Sequence, residues 1–322
     1  MRTKILLLFL QIILFCSCAT GKKSNHASVA DDLNSLLKTG KTIYFEKQNF
    51  ESDWEINTAL EQIIESDALQ RCYVNSAITF KECVFKGKVS AYSVNKNGVS
   101  SGTYFNRSVS FINCIFEADV NFRLSVFSAP VTFNGSSFLK PANFEECTFV
   151  NEAYYNETKY REEARFQNSV FMKKANWMKS RFEGNVSFQG AVFYNDAQFS
   201  SVEFQKYSDF TVATFQMNSF FNYAQFNDQL LFNNSVFYNR MEMLSNKIVK
   251  AELRNCTFFA APKFYQNELS GPIDFSRSVF LTGLPDLSSV KWLRESKCIA
   301  EEVKSGDRIL SKDEFMTLSK KP

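Results

Sequence analysis

The chain lacks most of the residue types on which common catalytic centres depend. It has a single histidine, His26, among 322 residues, which excludes histidine-based triads, relays and the usual zinc sites. Lys and Arg number 37 against 34 Asp and Glu, and residues 111–237 contain no run of Lys or Arg longer than two. Nucleic-acid binding normally needs a clustered basic face, so the sequence predicts no nucleic-acid partner.

Other motifs of catalysis are incomplete. Residues 40–42 read Gly-Lys-Thr, as at the end of a phosphate-binding loop, but Ser35 stands where the first glycine of that loop belongs. Acidic pairs occur at 145–146 and 162–163. Neighbours on a strand point to opposite sides, so neither pair is predicted to work as acid and base. We expect no catalytic residue, no metal and no cofactor.

The first residues predict an export signal. Two positive charges precede the apolar run Ile5–Phe15, which is too short to span a bilayer and is typical of a signal peptide. The run ends in Phe-Cys-Ser-Cys at 15–18, which resembles the lipobox of bacterial lipoproteins. The resemblance implies that residues 1–17 are a lipoprotein signal peptide and that Cys18 is the lipid attachment site. An ordinary cleaved signal without an anchor is the alternative.

The residues after Cys18 predict a location. Residues 18–40 are expected to form a tether, and two or three acyl chains on Cys18 would anchor the protein stably in a membrane. Loss of residues 1–17 removes two positive charges, so the net charge falls from +3 to +1. The expected location is the bacterial cell envelope, at the outer membrane, and Lys22 and Lys23 after the anchor favour facing the periplasm over facing the cell exterior.

What the chain has in excess is phenylalanine, 35 residues beside 11 Gly and 6 Pro. An aromatic residue recurs from Phe111 to Phe237 in steps that alternate five and six, over 24 sites of which 21 are Phe. Two residues before each site stands a small side chain, with Leu230 as the exception. The aromatic sites are Phe111, Phe116, Phe122, Phe127, Phe133, Phe138, Phe144, Phe149, Tyr155, Tyr160, Phe166, Phe171, Trp177, Phe182, Phe188, Phe193, Phe199, Phe204, Phe210, Phe215, Phe221, Phe226, Phe232 and Phe237.

An 11-residue period suits either a helical supercoil or a series of short strands. On a helix, aromatics five residues apart lie about 140° apart, so no single stripe forms. On a strand, residues i and i−2 point to the same side, so each unit gives two inward side chains and then a corner. Stacking of like on like requires coils that are multiples of eleven residues, which makes the number of sides even. The aromatics are therefore predicted to be the core of a β-helix.

Segments 175–177, 197–199 and 224–226 read Ala-Asn-Trp, Ala-Gln-Phe and Ala-Gln-Phe. They resemble the pentapeptide-repeat proteins, in the Ala-x-Phe variant with alternating five and six steps. The resemblance implies an all-β fold, a right-handed quadrilateral β-helix with four sides per coil and short flanking helices. It covers about 40% of the chain strictly. Members with known roles mostly act by shape, so the resemblance implies no particular partner.

The β-helix is predicted to extend over residues 80–281. Upstream, Phe80 and Phe85 repeat the pattern, and downstream eight further sites continue it with one residue lost after Ile248. An insertion is expected near 86–104, as a hairpin around Asn97-Gly98.

Caps are predicted at both ends, because an open β-helix end is an unpaired edge. Residues 41–79 are expected to form an N-terminal cap with a helix near 53–66, opened by the capping box at 52–55. Residues 282–322 are expected to form a C-terminal cap or tail, with a short helix that starts at Ser311.

Eight cysteines in an exported chain suggest bridges. Four of them hold the small inward position and are predicted to be buried thiols that act as small apolar fillers; these are Cys83, Cys114, Cys147 and Cys256. Cys16 would leave with the signal peptide and Cys18 is the expected lipid attachment site, so only Cys72 and Cys298 remain to pair, and they lie near opposite ends of the chain. No structural disulfide is expected.

One outward row is predicted to be a contact stripe for a partner. Val150, Met172, Tyr194, Gln216 and Tyr238 each follow an inward aromatic at 22-residue steps, so a four-sided coil would align them on one face. The alternative is scattered surface hydrophobic residues, which are normal on soluble proteins.

These observations favour a non-enzymatic, lipid-anchored scaffold that contacts proteins or other envelope components. The partners expected are the membrane, through acyl chains on Cys18, an unknown protein or envelope component, and a second copy in a homodimer. A carbohydrate-active β-helix enzyme is the alternative, and it would need acids and bases that converge in a cleft built by residues 86–104. A DNA-mimicking topoisomerase inhibitor ranks below both, because mimicry needs a strongly acidic surface and the net charge is +1 without residues 1–17.

Overall fold

The computed structural model of the chain describes residues 29–320, and side chains from residue 33 onward. Over this range the protein is a β-solenoid of about nine turns built from parallel strands. Two short α-helices flank it, α1 at Val29–Lys38 and α2 at Lys312–Leu318. The predicted all-β, four-sided β-helix with short flanking helices is confirmed. The predicted signal peptide at 1–17 and the lipid attachment site Cys18 lie outside the described residues.

The coils from Ile43 to Phe258 have four strands each, and the last two lack a strand on the first side; the strands stack into four parallel ladders that we call faces 1 to 4 in chain order. Face 1 contains Ile43–Glu46, Ile78–Lys81, Val109–Ile112, Val131–Thr132, Ala153–Tyr154, Ala175–Asn176, Ala197–Gln198, Ser219–Phe220 and Met241–Glu242. Face 2 contains Asn49–Phe50, Val84–Phe85, Ile115–Phe116, Ser137–Phe138, Lys159–Tyr160, Arg181–Phe182, Glu203–Phe204, Glu268–Leu269 and Lys291–Trp292. Two longer strands, Gln225–Leu231 and Lys247–Glu252, pass from face 2 to face 3.

Faces 3 and 4 complete the coil. Face 3 contains Trp54–Glu55, Val89–Ser90, Val120–Asn121, Ala142–Asn143, Ala164–Arg165, Val186–Ser187, Ser208–Asp209, Ile273–Asp274 and Cys298–Ile299. Face 4 contains Leu69–Val74, Ser100–Phe105, Val126–Phe127, Thr148–Phe149, Val170–Phe171, Val192–Phe193, Thr214–Phe215, Val236–Phe237, Thr257–Phe258, Val279–Phe280 and Val303–Ser305. Three strands outside the ladders form antiparallel hairpins with face 4; they are Ile63–Ser66, Ser93–Val94 and Arg308–Leu310.

The interior of the solenoid is a set of aromatic stacks. All 24 aromatic sites from Phe111 to Phe237 are at most 1% exposed. Rings on successive coils lie nearly parallel, as for Phe149 and Phe171, whose centroids are 4.6 Å apart at 3°. Rings on adjacent faces meet edge to face, as for Phe171 on face 4 and Trp177 on face 1 at 5.3 Å and 81°. Both geometries are favoured by the ring quadrupole, so the repeat satisfies the two preferences at once.

The alternation of five and six residues comes from two kinds of corner. In the five-residue step the corner is a β-turn whose third residue has a positive φ, as Gly135 has at 68°. A hydrogen bond from the Ser136 N–H to the Phe133 carbonyl, at 3.0 Å, closes this turn. The same left-handed position recurs once per coil between faces 1 and 2 and once between faces 3 and 4. The six-residue corners contain no positive φ. The left-handed residue turns the chain in one residue fewer, which produces the shorter step.

The small side chain that follows each tight corner has a second role. The Ser136 hydroxyl accepts a hydrogen bond from the Cys114 N–H at 3.0 Å and donates one to the Phe111 carbonyl at 3.0 Å, both on the neighbouring coil. Ser235 repeats this arrangement on the corner that contains Phe210 and Ala213. A side chain that can both donate and accept a hydrogen bond at this position therefore joins two adjacent tight corners. This explains why this phase of the repeat favours Ser, Cys and Thr.

The predicted N-terminal helix near 53–66 is wrong. Trp54–Glu55 is a strand of face 3, Ile56–Ala59 is a single 3-10 turn, and Ile63–Ser66 is a hairpin strand. Asp53 accepts from the Lys88 N–H at 2.8 Å instead of capping a helix. Pairing with the next coil and burial of Trp54 in the aromatic stack override the local helical pattern.

The N-terminal boundaries also need correction. The first coil begins at Ile43, which pairs with Ile78, so most of the predicted cap at 41–79 is solenoid. The cap is instead α1, within the predicted tether at 18–40; it buries Leu33 and Leu37, and its Asn34 accepts from the Trp54 indole N–H at 3.0 Å.

The insertion and the C-terminal boundary differ from prediction as well. Val89–Ser90 belongs to the face 3 ladder, so the insertion starts after it, and its hairpin turns at Gly98 as expected. At the other end the coils continue beyond residue 281 as Lys291–Trp292, Cys298–Ile299 and Val303–Ser305. The predicted helix from Ser311 is present, with both hydrogen bonds of the capping box. The later coils were missed because their spacing stretches to 23 and 25 residues.

Candidate interaction surface

The predicted contact stripe forms one column on the outer side of face 4. Val150, Met172, Tyr194, Gln216 and Tyr238 each directly follow a face 4 strand, and each N–H donates to the carbonyl of the inward aromatic one coil earlier. The column continues beyond the predicted residues in both directions. We call it column B, and its members are Asn75, Asn106, Ser128, Val150, Met172, Tyr194, Gln216, Tyr238, Phe259 and Leu281.

A second outward column lies beside column B on the same face. Its residues precede the inward aromatic in each strand, and the strand register aligns them from coil to coil. We call it column A, and its members are Tyr73, Tyr104, Val126, Thr148, Val170, Val192, Thr214, Val236, Thr257 and Val279. Sequence reasoning missed column A, although a 22-residue step applied to the residue before each aromatic would have found it.

Neither column contains a charged residue over these ten rungs, and the eleventh rung, Val303–Ser305, places the exposed Lys304 next to Val279 in column A. With 22% of the chain charged, a random set of twenty residues would hold about four charges. Face 2 shows the contrast, because its outward column contains Lys159, Arg181, Glu203, Lys247, Glu268 and Lys291. Ion pairs cross the coils there, as between Lys291 and Glu268 at 2.7 Å. Face 4 is therefore uncharged over these ten rungs, in contrast to face 2, although the outward column of face 1 is also uncharged from Tyr44 to Phe220.

Large apolar side chains in column B are exposed. Tyr194 is 51% exposed, and Met172, Tyr238 and Leu281 are 44–45% exposed. The Tyr238 ring stacks on the Phe259 ring at 4.7 Å, so this part of the column presents one aromatic surface. A ladder of exposed aromatic and aliphatic side chains beside β-branched residues has the composition of a protein interface core.

The described residues offer no comparable chemical site. No group of three or more His, Cys, Asp or Glu is placed to hold a metal ion in residues 29–320. Around the insertion, Glu65 pairs with Arg71 at 2.8 Å and Glu146 pairs with Arg123 at 2.6 Å, so these acids and bases neutralise one another. The Glu146 carboxylate raises the pKa of Arg123 further, which keeps that guanidinium charged.

The cysteines are not placed to react. All six in the described residues are free thiols and buried. Burial raises the pKa of Cys114, Cys256 and Cys298 to about 12, and the thiolate is the nucleophilic form. Cys298 lines a C-terminal cleft of about 280 Å³ with Lys297 and Lys312, but at neutral pH its thiol is protonated.

No helix in the described part of the chain has the length and apolar character needed to cross a membrane. Comparison with protein-family models gives no match, and comparison with curated proteins gives none either.

Proposed function

We propose that this protein is a non-enzymatic, lipid-anchored pentapeptide-repeat protein that serves as a structural or protein-interaction scaffold in the bacterial cell envelope. The observation that carries the proposal is the uncharged face 4 with its exposed apolar column. Exposed apolar surface is unfavourable in water, so a continuous face of it on a charged solenoid favours a contact role. The proposed family rests on the alternating aromatic repeat, and the proposed anchor on the sequence around Cys18.

A photo-crosslinking experiment in the native cell tests the contact role. A photoreactive residue replaces either Tyr238 on face 4 or Tyr223 on the corner between faces 1 and 2, and both tyrosines are well exposed, at 45% and 64%. We expect discrete crosslinked species from position 238 and none from position 223. Equal crosslinking from the two positions, or none from either, would refute a specific contact at face 4.

A fractionation experiment tests the anchor separately. We expect the full-length chain in the membrane fraction and its Cys18→Ala variant in the soluble fraction, because the acyl chains would be lost. A membrane-bound Cys18→Ala variant would show that Cys18 is not what holds the protein there. The crosslinking result does not depend on this outcome, so the scaffold role and the anchor can fail independently.

A further inference from the structure

We propose that face 4 binds face 4 of a second copy of this chain, in a two-fold symmetric, face-to-face dimer. The inference rests on the proposed contact role of face 4 and names its partner. Three features of the two columns support it: their lack of charge, the distribution of bulky side chains and the area that they cover.

The lack of charge makes the face complementary to itself. Two copies can pack columns A and B together without burying an unpaired charge, which is the main cost of burying a polar protein surface. A charged partner surface would lose hydration against face 4 and gain no ion pair in return. Three neutral polar residues of column B, Asn75, Asn106 and Ser128, lie at one end of the face, where the Asn106 side chain already donates to the Asn75 side chain at 2.7 Å.

Bulky and small side chains occupy opposite corners of the face. Column A is bulky at its N-terminal end, with Tyr73 and Tyr104, and continues with Val and Thr only. Column B is small at its N-terminal end, up to Ser128 and Val150, and becomes bulky towards Leu281. A two-fold axis that lies in the face and runs along or across the solenoid turns each bulky end onto a small end. The same surface therefore fits itself, as an isologous interface requires.

The area predicts the strength of the dimer. Ten rungs spaced about 4.8 Å apart give a face about 43 Å long. Its width equals the separation of faces 1 and 3, which is about 10 Å, the usual distance between packed sheets. Two such faces bury roughly 900 Å², which is just below the size of ordinary stable interfaces. We therefore expect a reversible dimer with a dissociation constant between about 10 µM and 1 mM.

A bilayer is the other flat, uncharged surface that such a face could meet. Interfacial membrane binding is usually strengthened by basic residues that border the apolar surface. The corner before face 4 contains one acid and one base at its left-handed position, Glu146 and Arg277. On the other border the only basic residues between the first and last rungs are Arg107, Lys173 and Lys174, together with Arg240. The acids Glu152 and Asp196 stand among the four bases of that border, so neither border forms a continuous basic rim, and the features favour a second copy.

Sedimentation equilibrium of residues 19–322, which contain the whole described solenoid, tests the dimer. The variants are Tyr194→Lys and Tyr238→Lys on column B, with Tyr223→Lys as the matched control on another edge. Residue 223 has a φ of 59°, and Lys179 already occupies the equivalent position two coils earlier at 61°, so the fold accepts lysine there. Far-ultraviolet circular dichroism checks that every variant is folded.

We expect the unchanged chain and Tyr223→Lys to dimerise with the same dissociation constant, and each face 4 variant to weaken the dimer at least about tenfold because it buries an unpaired ammonium group. A chain that remains monomeric at about 1 mM, or a dimer that all three variants leave unchanged, overturns the inference. Flotation with neutral phosphatidylcholine vesicles that is lost in the face 4 variants would assign the face to a bilayer instead. Face 4 crosslinks to a different protein, with a monomeric chain, would overturn the dimer while leaving the scaffold role in place.

Discussion

Replacing Tyr155 or Tyr160 with phenylalanine should stabilise the solenoid. Tyr155 lies between Phe133 and Trp177, with centroid distances of 5.2 and 5.1 Å. Tyr160 lies between Phe138 and Phe182, at 4.8 and 4.7 Å. Phenylalanine would keep these stacks, because 21 of the 24 sites already hold it. Only the hydroxyl group would be lost.

The hydroxyl groups are costly where they are. Both are fully buried without a partner at hydrogen-bonding distance and angle, and burial raises the pKa of both tyrosines, although the neighbouring Thr158 and Trp177 side chains offset part of the rise at Tyr160. A buried hydroxyl without a partner costs about 1–3 kcal/mol, so Tyr155→Phe should raise the free energy of unfolding by about that amount and Tyr160→Phe by less. The pKa of Tyr155 depends partly on Tyr160, so the two are close and the double variant should gain less than the sum.

Guanidinium denaturation measures the free energy of unfolding of each variant. Variants are compared only where their m-values are equal, because repeat proteins do not always unfold in two states. Two controls bracket it. Phe166→Tyr adds a hydroxyl to a stack between Phe144 and Phe188 and should destabilise, whereas Tyr223→Phe changes an exposed residue and should be neutral. A fall in stability for Tyr155→Phe or Tyr160→Phe would show that the hydroxyl has a hydrogen-bond partner in the folded protein, and would refute the reasoning.

Three further predictions concern the thiols, the corners and the close approach of coils. Burial raises the pKa of the Cys114, Cys256 and Cys298 thiols to about 12, against 9.0 when they are exposed. As the pH rises, the thiols of the unfolded chain therefore lose their protons first. The free energy of unfolding should fall between pH 9 and 12 by up to about 1.4 kcal/mol per pH unit per thiol. Denaturation at pH 8 and 10 should show a shallower decline for Cys114→Ser, and an unchanged decline would contradict this. Ser235→Ala removes two hydrogen bonds between neighbouring corners and should cost about 1–2 kcal/mol in the same assay, with a neutral result showing that the hydroxyl does not matter. Gly184→Ala would place a Cβ 2.4 Å from the Glu162 backbone. It should lower the free energy of unfolding by about 2–4 kcal/mol and with it the thermal midpoint. An unshifted midpoint would mean that the coils can separate locally.

The sequence predicted the parts of the fold that depend on repetition. The alternating step of Phe111 to Phe237 fixed the strand positions, the even number of sides and the inward aromatics, because each is imposed again on every coil. It also located the residue lost after Ile248, where the structure has a bulge between Phe226 and Gln229 in the paired strand. The corners explain the step, but positive φ values at residues such as Leu124 and Val212 have no local signal in those side chains.

The ends of the solenoid were predicted poorly because there the pattern competes with local signals. Residues 52–66 carry a capping box and helical spacing, yet the nearest coil offers Trp54 a ladder partner in Val89 and a place in the aromatic stack. Ile63 and Ile64, which would have completed the apolar side of that helix, are 51% and 72% exposed. The candidate site was predicted in part, since column B follows from the repeat while column A was overlooked.

The 22-residue coil also makes the length of this protein adjustable in equal steps. Between Val109 and Phe226 every strand pairs with the residue 22 positions further on. Loss or duplication of one 22-residue block inside this range would leave every ladder in register and change the distance between the two caps by about 4.8 Å. Such a rod can be lengthened or shortened by simple recombination between its own repeats, so the span between its ends is a quantity on which selection can act directly.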